Sequence, residues 1–183
     1  HVLVHGGAGG VGHLAVQLAR AAGLRVAATV STPAKADIAR SLGAEEIVHY
    51  REETPAAYVE RLTRGAGFDL VFDTVGGTAL DASLAAARPR GRVVSTNTRS
   101  THDLAALHAK ALTLHVVFML LPLLGAVAEP DYAAVLRRAA ELADAGQLAP
   151  LLDKRGFSLH RAAEAHALVE SGQALGKVVV DVA

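Results

Sequence analysis

The feature that most constrains the fold is a glycine-rich turn between an apolar run and an amphipathic segment. The apolar run 2–4 leads into His-Gly-Gly-Ala-Gly-Gly-Val-Gly at residues 5–12. The apolar positions of 11–22 then repeat with the period of an α-helix. Residues 7–12 match the pattern G-x-G-x-x-G, which between a strand and a helix is typical of dinucleotide-binding folds. The turn therefore predicts a βαβ unit that opens on a phosphate site.

Three glycines of the pattern have separate physical roles. Gly7 would permit the tight turn from strand to helix, Gly9 would let a pyrophosphate approach the backbone, and Gly12 would let the helix pack closely on the strand. The helix N-terminus adds unpaired N–H groups and the positive end of a dipole. We expect cofactor phosphates to bind here, and a purely structural turn is the alternative.

Apolar, β-branched runs alternate with Ala- and Leu-rich helical patterns along the rest of the first two thirds of the chain. This alternation indicates crossover connections and a parallel sheet that is covered on both faces. We predict an α/β doubly wound parallel sheet, a Rossmann fold with strand order 3-2-1-4-5-6. The predicted strands are 2–4, 26–30, 46–48, 69–72, 92–95 and 112–118, and the predicted helices are 11–22, 33–42, 55–64, 78–87 and 102–110.

The texture of the sequence changes near residue 147, and the residues beyond it are too few to fold alone. We expect a dinucleotide-binding domain over residues 1–147 and a short C-terminal piece of a second domain over 148–183. Since the chain begins with His and its single Met is Met119, we also expect an internal piece of a longer protein. The later elements are predicted as helices over 132–145 and 160–171 and strands over 148–152 and 177–182.

Composition excludes several other classes of protein. Lys and Arg number 18 and so do Asp and Glu, so the chain lacks the basic surplus of a nucleic-acid or anionic-membrane binder. The apolar stretch 111–127 contains Pro122 and Gly125, so we expect a buried sixth strand and an apolar loop rather than a membrane span. The chain has no Cys, which excludes a disulfide and a Cys-ligated metal within it, and the cytoplasm is the default compartment.

The titratable side chains indicate no catalytic or metal site. The 9 His include no H-E-x-x-H motif, and no Tyr begins the Tyr-x-x-x-Lys pair of short-chain dehydrogenases. We interpret Asp69 and Asp73, at the two ends of the fourth predicted strand, as turn and capping residues, because nothing places them within reach of a substrate proton. We therefore predict no catalytic residue and no metal ligand in this chain.

The end of the second strand predicts the choice of cofactor. NAD-specific domains usually place an acid here to hold the ribose hydroxyls, whereas this strand ends at Ser31. Thr32 and Pro33 then fit the N-cap and first position of a helix. Lys35 in its first turn has the wrong sign for the helix dipole unless an anion lies beside it. We expect that anion to be the 2′-phosphate of NADP(H); a solvated surface lysine is the alternative.

Longer stretches resemble the quinone oxidoreductase branch of the medium-chain dehydrogenase/reductase family. The resemblance implies an NADPH-dependent enzyme, without zinc, that passes hydride to a quinone or an α,β-unsaturated carbonyl. It also implies that the GroES-like substrate domain is missing and that 148–183 returns to that domain. A zinc-dependent alcohol dehydrogenase of the same superfamily and a non-catalytic nucleotide-binding protein are the alternatives. The stretches are 2–12, 15–19, 41–44, 68–77, 91–94, 162–166 and 176–180, in the order of the family.

The resemblance also implies cofactor contacts. Gly10 and Val11 match the pyrophosphate contact, and Tyr50 matches a tyrosine beside the adenosine phosphate. Asn97 stands where the family usually has Gly, and a core or surface role is the alternative for Tyr50 and Val75. The complete predicted cofactor site is Gly7, Gly9, Gly10, Val11, Gly12, Ser31, Lys35, Tyr50, Val75, Thr96, Asn97, Phe118, Met119 and Leu120, with Thr98 beside it.

The partners expected are a small-molecule substrate and a second copy of the chain, but no nucleic acid and no membrane. The sixth predicted strand is apolar and lies at a sheet edge, and such edges are usually paired or covered. Members of the resembling family join two sheets at this edge. We therefore expect a homodimer through 112–118.

Overall fold

A computed structural model of the chain describes residues 1–125 and 132–182 and contains a six-stranded parallel sheet. The strand order is β3-β2-β1-β4-β5-β6, which confirms the predicted doubly wound topology. The strands are β1 (Val2–Val4), β2 (Val26–Val30), β3 (Glu46–His49), β4 (Phe68–Asp73), β5 (Ala87–Ser95) and β6 (Thr113–Val116). The helices are α1 (Gly12–Ala21), α2 (Pro33–Ser41), α3 (Pro55–Thr63), α4 (Thr78–Ala86), α5 (Ala105–Ala109), α6 (Tyr132–Asp144) and α7 (Ala162–Glu170).

The core is divided between the two faces of the sheet, because successive strand residues point to opposite sides. Leu3 packs with Tyr58 of α3 and with the buried residues of α4 on one face. Val4 packs with Val16 of α1 on the other face. All residues of β2 are buried. The central strands are therefore covered on both sides, as the apolar runs predict.

Two elements of the second half begin at unexpected positions. β5 begins at Ala87 instead of residue 92 and includes Pro89 and Gly91, with a shift of register against β4. Arg90 has a φ of 59°, so this part of the strand is irregular, and its turn-like sequence hides it from pattern analysis. α5 begins at Ala105 instead of residue 102, where Asp103 Oδ1 accepts the Ala105 N–H at 2.8 Å.

The C-terminal segment has less strand than its sequence predicts. Instead of strands over 148–152 and 177–182, it has one bridge between Leu152 and Lys177 and a two-stranded parallel sheet. The strands of that sheet are β7 (Phe157–Ser158) and β8 (Val180–Asp181). The apolar runs 148–152 and 177–182 therefore overstate the extent of strand in this segment. The division of the chain at residue 147 stays a prediction.

The prediction that the sixth strand is buried is wrong. β6 is shorter than 112–118, forms the edge of the sheet and pairs with β5. Val116 is 49% exposed, and Phe118 in the adjoining apolar turn is 52% exposed, because no described helix covers them. Residues 126 and 127 of the apolar stretch lie outside the described residues. No helix in the described part of the chain is long and apolar enough to cross a membrane.

Candidate functional site

The glycine turn brings β1, β2 and α1 into close contact. Gly6 has a φ of 69°, so Gly6, and not Gly7, supplies the left-handed residue of the turn. A Cβ on Gly7 would lie 2.6 Å from the Cβ of Ala28, so Gly7 lets the turn pack against β2. A Cβ on Gly12 would collide with the carbonyl of Gly6. This is the close packing of helix on strand that is expected of the last glycine.

The N-terminus of α1 presents N–H groups without partners. The Gly9 N–H donates to the carbonyl of Gly6 at 2.8 Å, and the His13 N–H donates to the carbonyl of Gly9 at 3.1 Å. Between them, the N–H groups of Gly10 and Val11 enter no hydrogen bond within the described residues. Val11 is the N-cap, and its side chain cannot cap the helix. Free N–H groups at the positive end of a helix dipole are a physical basis for binding an anion.

A cavity of about 480 Å³ opens beside this turn and extends past the ends of β2 and β3. Its other wall is formed by α3 and α4. The cavity brings together residues that are far apart in sequence, among them Ser31, Lys35 and Tyr50, which were predicted for the adenosine end of the cofactor. Of the predicted residues, the lining contains Gly9, Ser31, Lys35, Tyr50 and Val75. The rest of the turn, Gly7, Gly10, Val11 and Gly12, lies next to Gly9 but outside the lining.

Two cationic side chains, Lys35 and Arg51, line one end of the cavity, and neither forms an ion pair with an acid within the described residues. Lys35 Nζ donates to the carbonyl of Gly172 at 2.5 Å. Burial, with a smaller contribution from the charge of Arg51, lowers the pKa of Lys35. Glu53 is the acid in the lining, and Arg61 holds it through hydrogen bonds of 2.6–2.9 Å. This end of the cavity therefore has an excess of positive charge, which an anionic group would balance.

The local sequence explains how Lys35 reaches the cavity. The hydroxyl of Thr32 accepts the Lys35 N–H at 3.3 Å, and Pro33 occupies the first helical turn, which confirms the predicted helix start. Ser31 directly follows β2 and lies in the cavity lining with Lys35. Because no acid stands at this strand end, nothing there would repel a phosphate on the ribose.

Two buried side chains in the lining carry polar atoms without partners. Burial lowers the pKa of His5 to about 4, although nearby Asp73 opposes the shift. Its Nδ1 lies 3.3 Å from Thr29 Oγ1, and its Nε2 has no partner in the described residues. Burial, together with the charge of Glu53, raises the pKa of Tyr58 to about 12, and its hydroxyl is likewise unpaired there. Both side chains are therefore neutral at pH 7.

The C-terminal segment covers the glycine turn. The Gly176 N–H donates to the carbonyl of Ala8 at 2.9 Å. A Cβ on Gly10 would lie 3.7 Å from Lys177 Nζ, so this ammonium group lies beside the free N–H groups of the helix. Sequence reasoning missed Lys177, as it missed Arg51, because no local pattern relates either residue to the turn.

The two aspartates of β4 have different roles. Asp73 accepts hydrogen bonds from the Val75 N–H at 2.9 Å and from the Ser95 hydroxyl at 2.7 Å, which confirms that it stabilises the turn. Asp69 was also interpreted as a turn residue, and that interpretation is wrong. Asp69 lies within β4 and forms an ion pair with Arg88 at 2.6 Å.

The remaining predicted contacts come after β5 and β6, outside the cavity. The Thr96 N–H donates to the carbonyl of Asp73 at 3.1 Å, and the Asn97 side chain donates to the carbonyl of Val75 at 3.1 Å. These bonds fix the loop after β5 to the turn after β4. The predicted residues after β6 are Phe118, Met119 and Leu120, which are 52%, 68% and 48% exposed.

The strand order and the glycine turn define an α/β domain of the Rossmann type. Residues 42–180 match the family model described as zinc-binding dehydrogenase, and the chain belongs to this family. An alcohol dehydrogenase superfamily protein from Novosphingobium aromaticivorans is 40% identical, with a TM-score of 0.90 over 100% of this chain and 56% of that one. The Escherichia coli quinone oxidoreductase complexed with NADPH is 27% identical, with a TM-score of 0.86 over 99% of this chain and 56% of that one.

These matches confirm the resemblance to the medium-chain dehydrogenase/reductase family. Among curated proteins, the 2-haloacrylate reductase of a Burkholderia species is 44% identical over 91 residues, which are 50% of this chain and 27% of the reductase. The chain thus spans 56% of the two similar solved structures, and its match spans 27% of that reductase.

The name of the family raises the question of a zinc ion. Within residues 1–125 and 132–182, no three His, Asp or Glu side chains come close enough together to hold a metal ion. Cys, the usual ligand of structural zinc, does not occur in the chain. The described residues therefore do not fit zinc, and we derive no chemical step from a zinc ion.

Proposed function

We propose that this chain binds NADP(H) and forms the cofactor-binding part of an oxidoreductase that transfers hydride to a quinone or an α,β-unsaturated carbonyl. The observation that carries the proposal is the cationic end of the cavity, where Lys35 and Arg51 lack acidic partners within the described residues. Ser31 stands there in place of an acid. A 2′-phosphate distinguishes NADP(H) from NAD(H), and this end offers it two cations and a hydroxyl.

The residues of the chain would bind and orient the dinucleotide along the carboxyl ends of the strands. The free N–H groups of Gly10 and Val11, with Lys177 beside them, would hold the pyrophosphate. Tyr50 and Val75 would flank the adenosine in the cavity. The nicotinamide half would extend toward Thr96, Asn97, Phe118, Met119 and Leu120. When bound, the cofactor supplies the hydride, and the protein positions it and excludes water.

Two comparisons support the reaction class. The similar protein of Escherichia coli is a quinone oxidoreductase in complex with NADPH, and the similar protein of Burkholderia is a 2-haloacrylate reductase. A haloacrylate has a carbon–carbon double bond conjugated to a carboxyl group, and a quinone has one conjugated to a carbonyl. Both are acceptors for a hydride at an electron-poor carbon.

We also propose a homodimer through β6 in the cytoplasm, with residues 148–183 belonging to a GroES-like catalytic domain. The exposed apolar residues at the free edge of the sheet support the dimer, because an edge of this kind is usually paired or covered.

The proposal is tested by separating binding from turnover. We expect the 183-residue chain to bind NADPH but to leave it unoxidised in the presence of quinones and enones. A full-length parent protein with its substrate domain should oxidise NADPH with at least one of these acceptors. Rapid turnover by the chain alone would show that the substrate site lies within it. A parent that binds NADPH but reduces neither class of acceptor would contradict the proposed reaction.

A further inference from the structure

Outside the cofactor cavity, three side chains form a linear set of hydrogen bonds. Ser100 Oγ lies 2.6 Å from His102 Nε2, and His102 Nδ1 lies 2.7 Å from Asp81 Oδ1. Ser100 and His102 are in the loop between β5 and α5, whereas Asp81 is in the first turn of α4. The proposed cofactor site uses none of the three. They are a serine, a base and an acid, with the base between the other two.

The order of the atoms gives the hydrogen bonds a direction. An ionised carboxylate only accepts, so His102 Nδ1 carries the proton and donates to Asp81. With the proton on Nδ1, the other ring nitrogen, Nε2, can accept from the Ser100 hydroxyl. In this arrangement a histidine can remove the proton of a serine while an acid orients the ring. The His102 side chain is only 8% exposed, so the ring is held in place by packing as well.

Ser100 itself is exposed and can be reached from solvent. Its own N–H donates to the carbonyl of Thr98 at 3.0 Å. The next N–H, that of Thr101, enters no hydrogen bond within the described residues. The N–H of the residue after a nucleophile is a common donor to the oxyanion formed in acyl transfer. The loop thus combines a nucleophile, a base, an orienting acid and one free donor.

We propose that Ser100 is a nucleophile, activated by His102 and oriented by Asp81, that accepts acyl groups from small esters with good leaving groups. Ser100 Oγ bonds to the carbonyl carbon as the ester C–O bond breaks. His102 Nε2 takes the serine proton and passes it to the departing alkoxide. Water then cleaves the acyl-serine, which releases a carboxylic acid and returns a proton to Ser100.

A fluorophosphonate reagent tests the nucleophile without any cofactor, since it forms an Oγ–P bond and expels fluoride. We expect intact-mass spectrometry of the 183-residue chain to show one phosphonyl group and peptide mapping to place it on Ser100. Ser100→Ala should take up no label. His102→Gln and Asp81→Asn keep polar groups in place but remove the base and the charge. Each should slow labelling by about 100-fold or more.

A matched control is Ser41→Ala, which removes an exposed serine whose hydroxyl donates to the carbonyl of Ile38 at 2.7 Å instead of to a histidine. This variant should label at the rate of the unmodified chain. Hydrolysis of p-nitrophenyl acetate gives a second measurement and should be lost in Ser100→Ala but kept in Ser41→Ala. The proposal is overturned if Ser100 stays unlabelled, or if His102→Gln labels as fast as the unmodified chain. Either result would mean that the three side chains only fasten the loop to α4.

Discussion

The two halves of the sheet differ in what lies beside the carboxyl ends of their strands. Beside β1, β2 and β3, the chain forms a cavity with a buried floor and a cationic end. Beside β5 and β6, the predicted contacts are exposed side chains, of which Met119 is 68% exposed. The first half therefore contains, within one chain, the groups that we propose bind an adenosine phosphate. The second half leaves apolar surface that a second copy or another domain would have to cover.

Because of this difference, we expect the affinity for the cofactor and the rate of hydride transfer to depend on different parts of the molecule. The binding energy for the phosphate groups would come from the glycine turn, Lys35 and Arg51, all of which the chain holds in place. The acceptor of the hydride would meet the residues after β6, which are exposed. Changes in the first half should alter the stability of the chain and the binding of its cofactor, and changes in the second half should alter assembly.

The largest effect should come from the packing of the glycine turn. Gly12→Val would place a branched side chain against the carbonyl of Gly6, and we expect it to lower the free energy of unfolding by about 4 kcal/mol or more. Gly156→Ala is the control, because no atom lies within 4 Å of the Cβ that it would add. Urea unfolding followed by circular dichroism measures both. Similar midpoints for the two variants would contradict the close packing of this turn.

The buried histidine of the first half should make stability depend on pH. The pKa of His5 falls from 6.5 to about 4 on folding, so between these values the unfolded chain binds more protons than the folded one. The contribution of His5 to the free energy of unfolding is therefore fully present above about pH 6.5 and is lost progressively as the pH falls toward 4. The loss should be about 2–3 kcal/mol.

His5→Phe keeps a ring in the same place and cannot be protonated, so it isolates the contribution of the histidine. The pH profile of its unfolding free energy should be flatter between pH 4 and 6.5 than that of the unmodified chain. Two parallel profiles would show that His5 is protonated equally in the folded and unfolded states.

A substitution in the second half of the sheet should change the affinity between two copies of the chain instead of the stability of one copy. If two copies pair along β6, Val116→Lys places like charges near each other at the interface and should weaken the dimer about 30-fold, while the monomer stays folded. Val169→Lys is the control, since this valine is 56% exposed but lies on α7. Sedimentation equilibrium of the three proteins measures the effect. A monomeric unmodified chain at micromolar concentration would contradict pairing through this edge.

The sequence predicts the features that depend on local patterns and misses those that depend on contacts between distant residues. The N-cap of α2 at Thr32 and the turn held by Asp73 depend on local patterns, and the structure confirms them. The strand order, predicted from the alternation of strands and helices along the chain, is confirmed as well. Arg51, Tyr58 and Lys177 were missed, because their positions depend on contacts between distant elements. No periodicity or motif carries that information.

The exposure of β6 and the early start of β5 show a further limit. An apolar strand at the edge of a sheet has the same kind of sequence pattern as a strand buried within it. The sequence of β6 therefore could not show whether the strand is buried within the chain or pairs with another chain. The residues at the start of β5 are Ala-Arg-Pro-Arg-Gly, which have the composition of a turn, yet they continue the strand through an irregular register. Local propensity was overridden there by pairing with β4.

The smallest of these effects, and the most direct test of the central claim, is the preference for NADPH over NADH. A hydrogen bond to a charged group contributes roughly 1.5–3 kcal/mol, so fluorescence titration should show NADPH binding at least about tenfold tighter than NADH. Lys35→Ala should remove most of that difference and leave the affinity for NADH unchanged. Lys154→Ala, a control on an exposed lysine outside the cavity, should keep the difference in full. Equal affinities of the unmodified chain for the two cofactors would contradict the assignment of the cationic end to a 2′-phosphate.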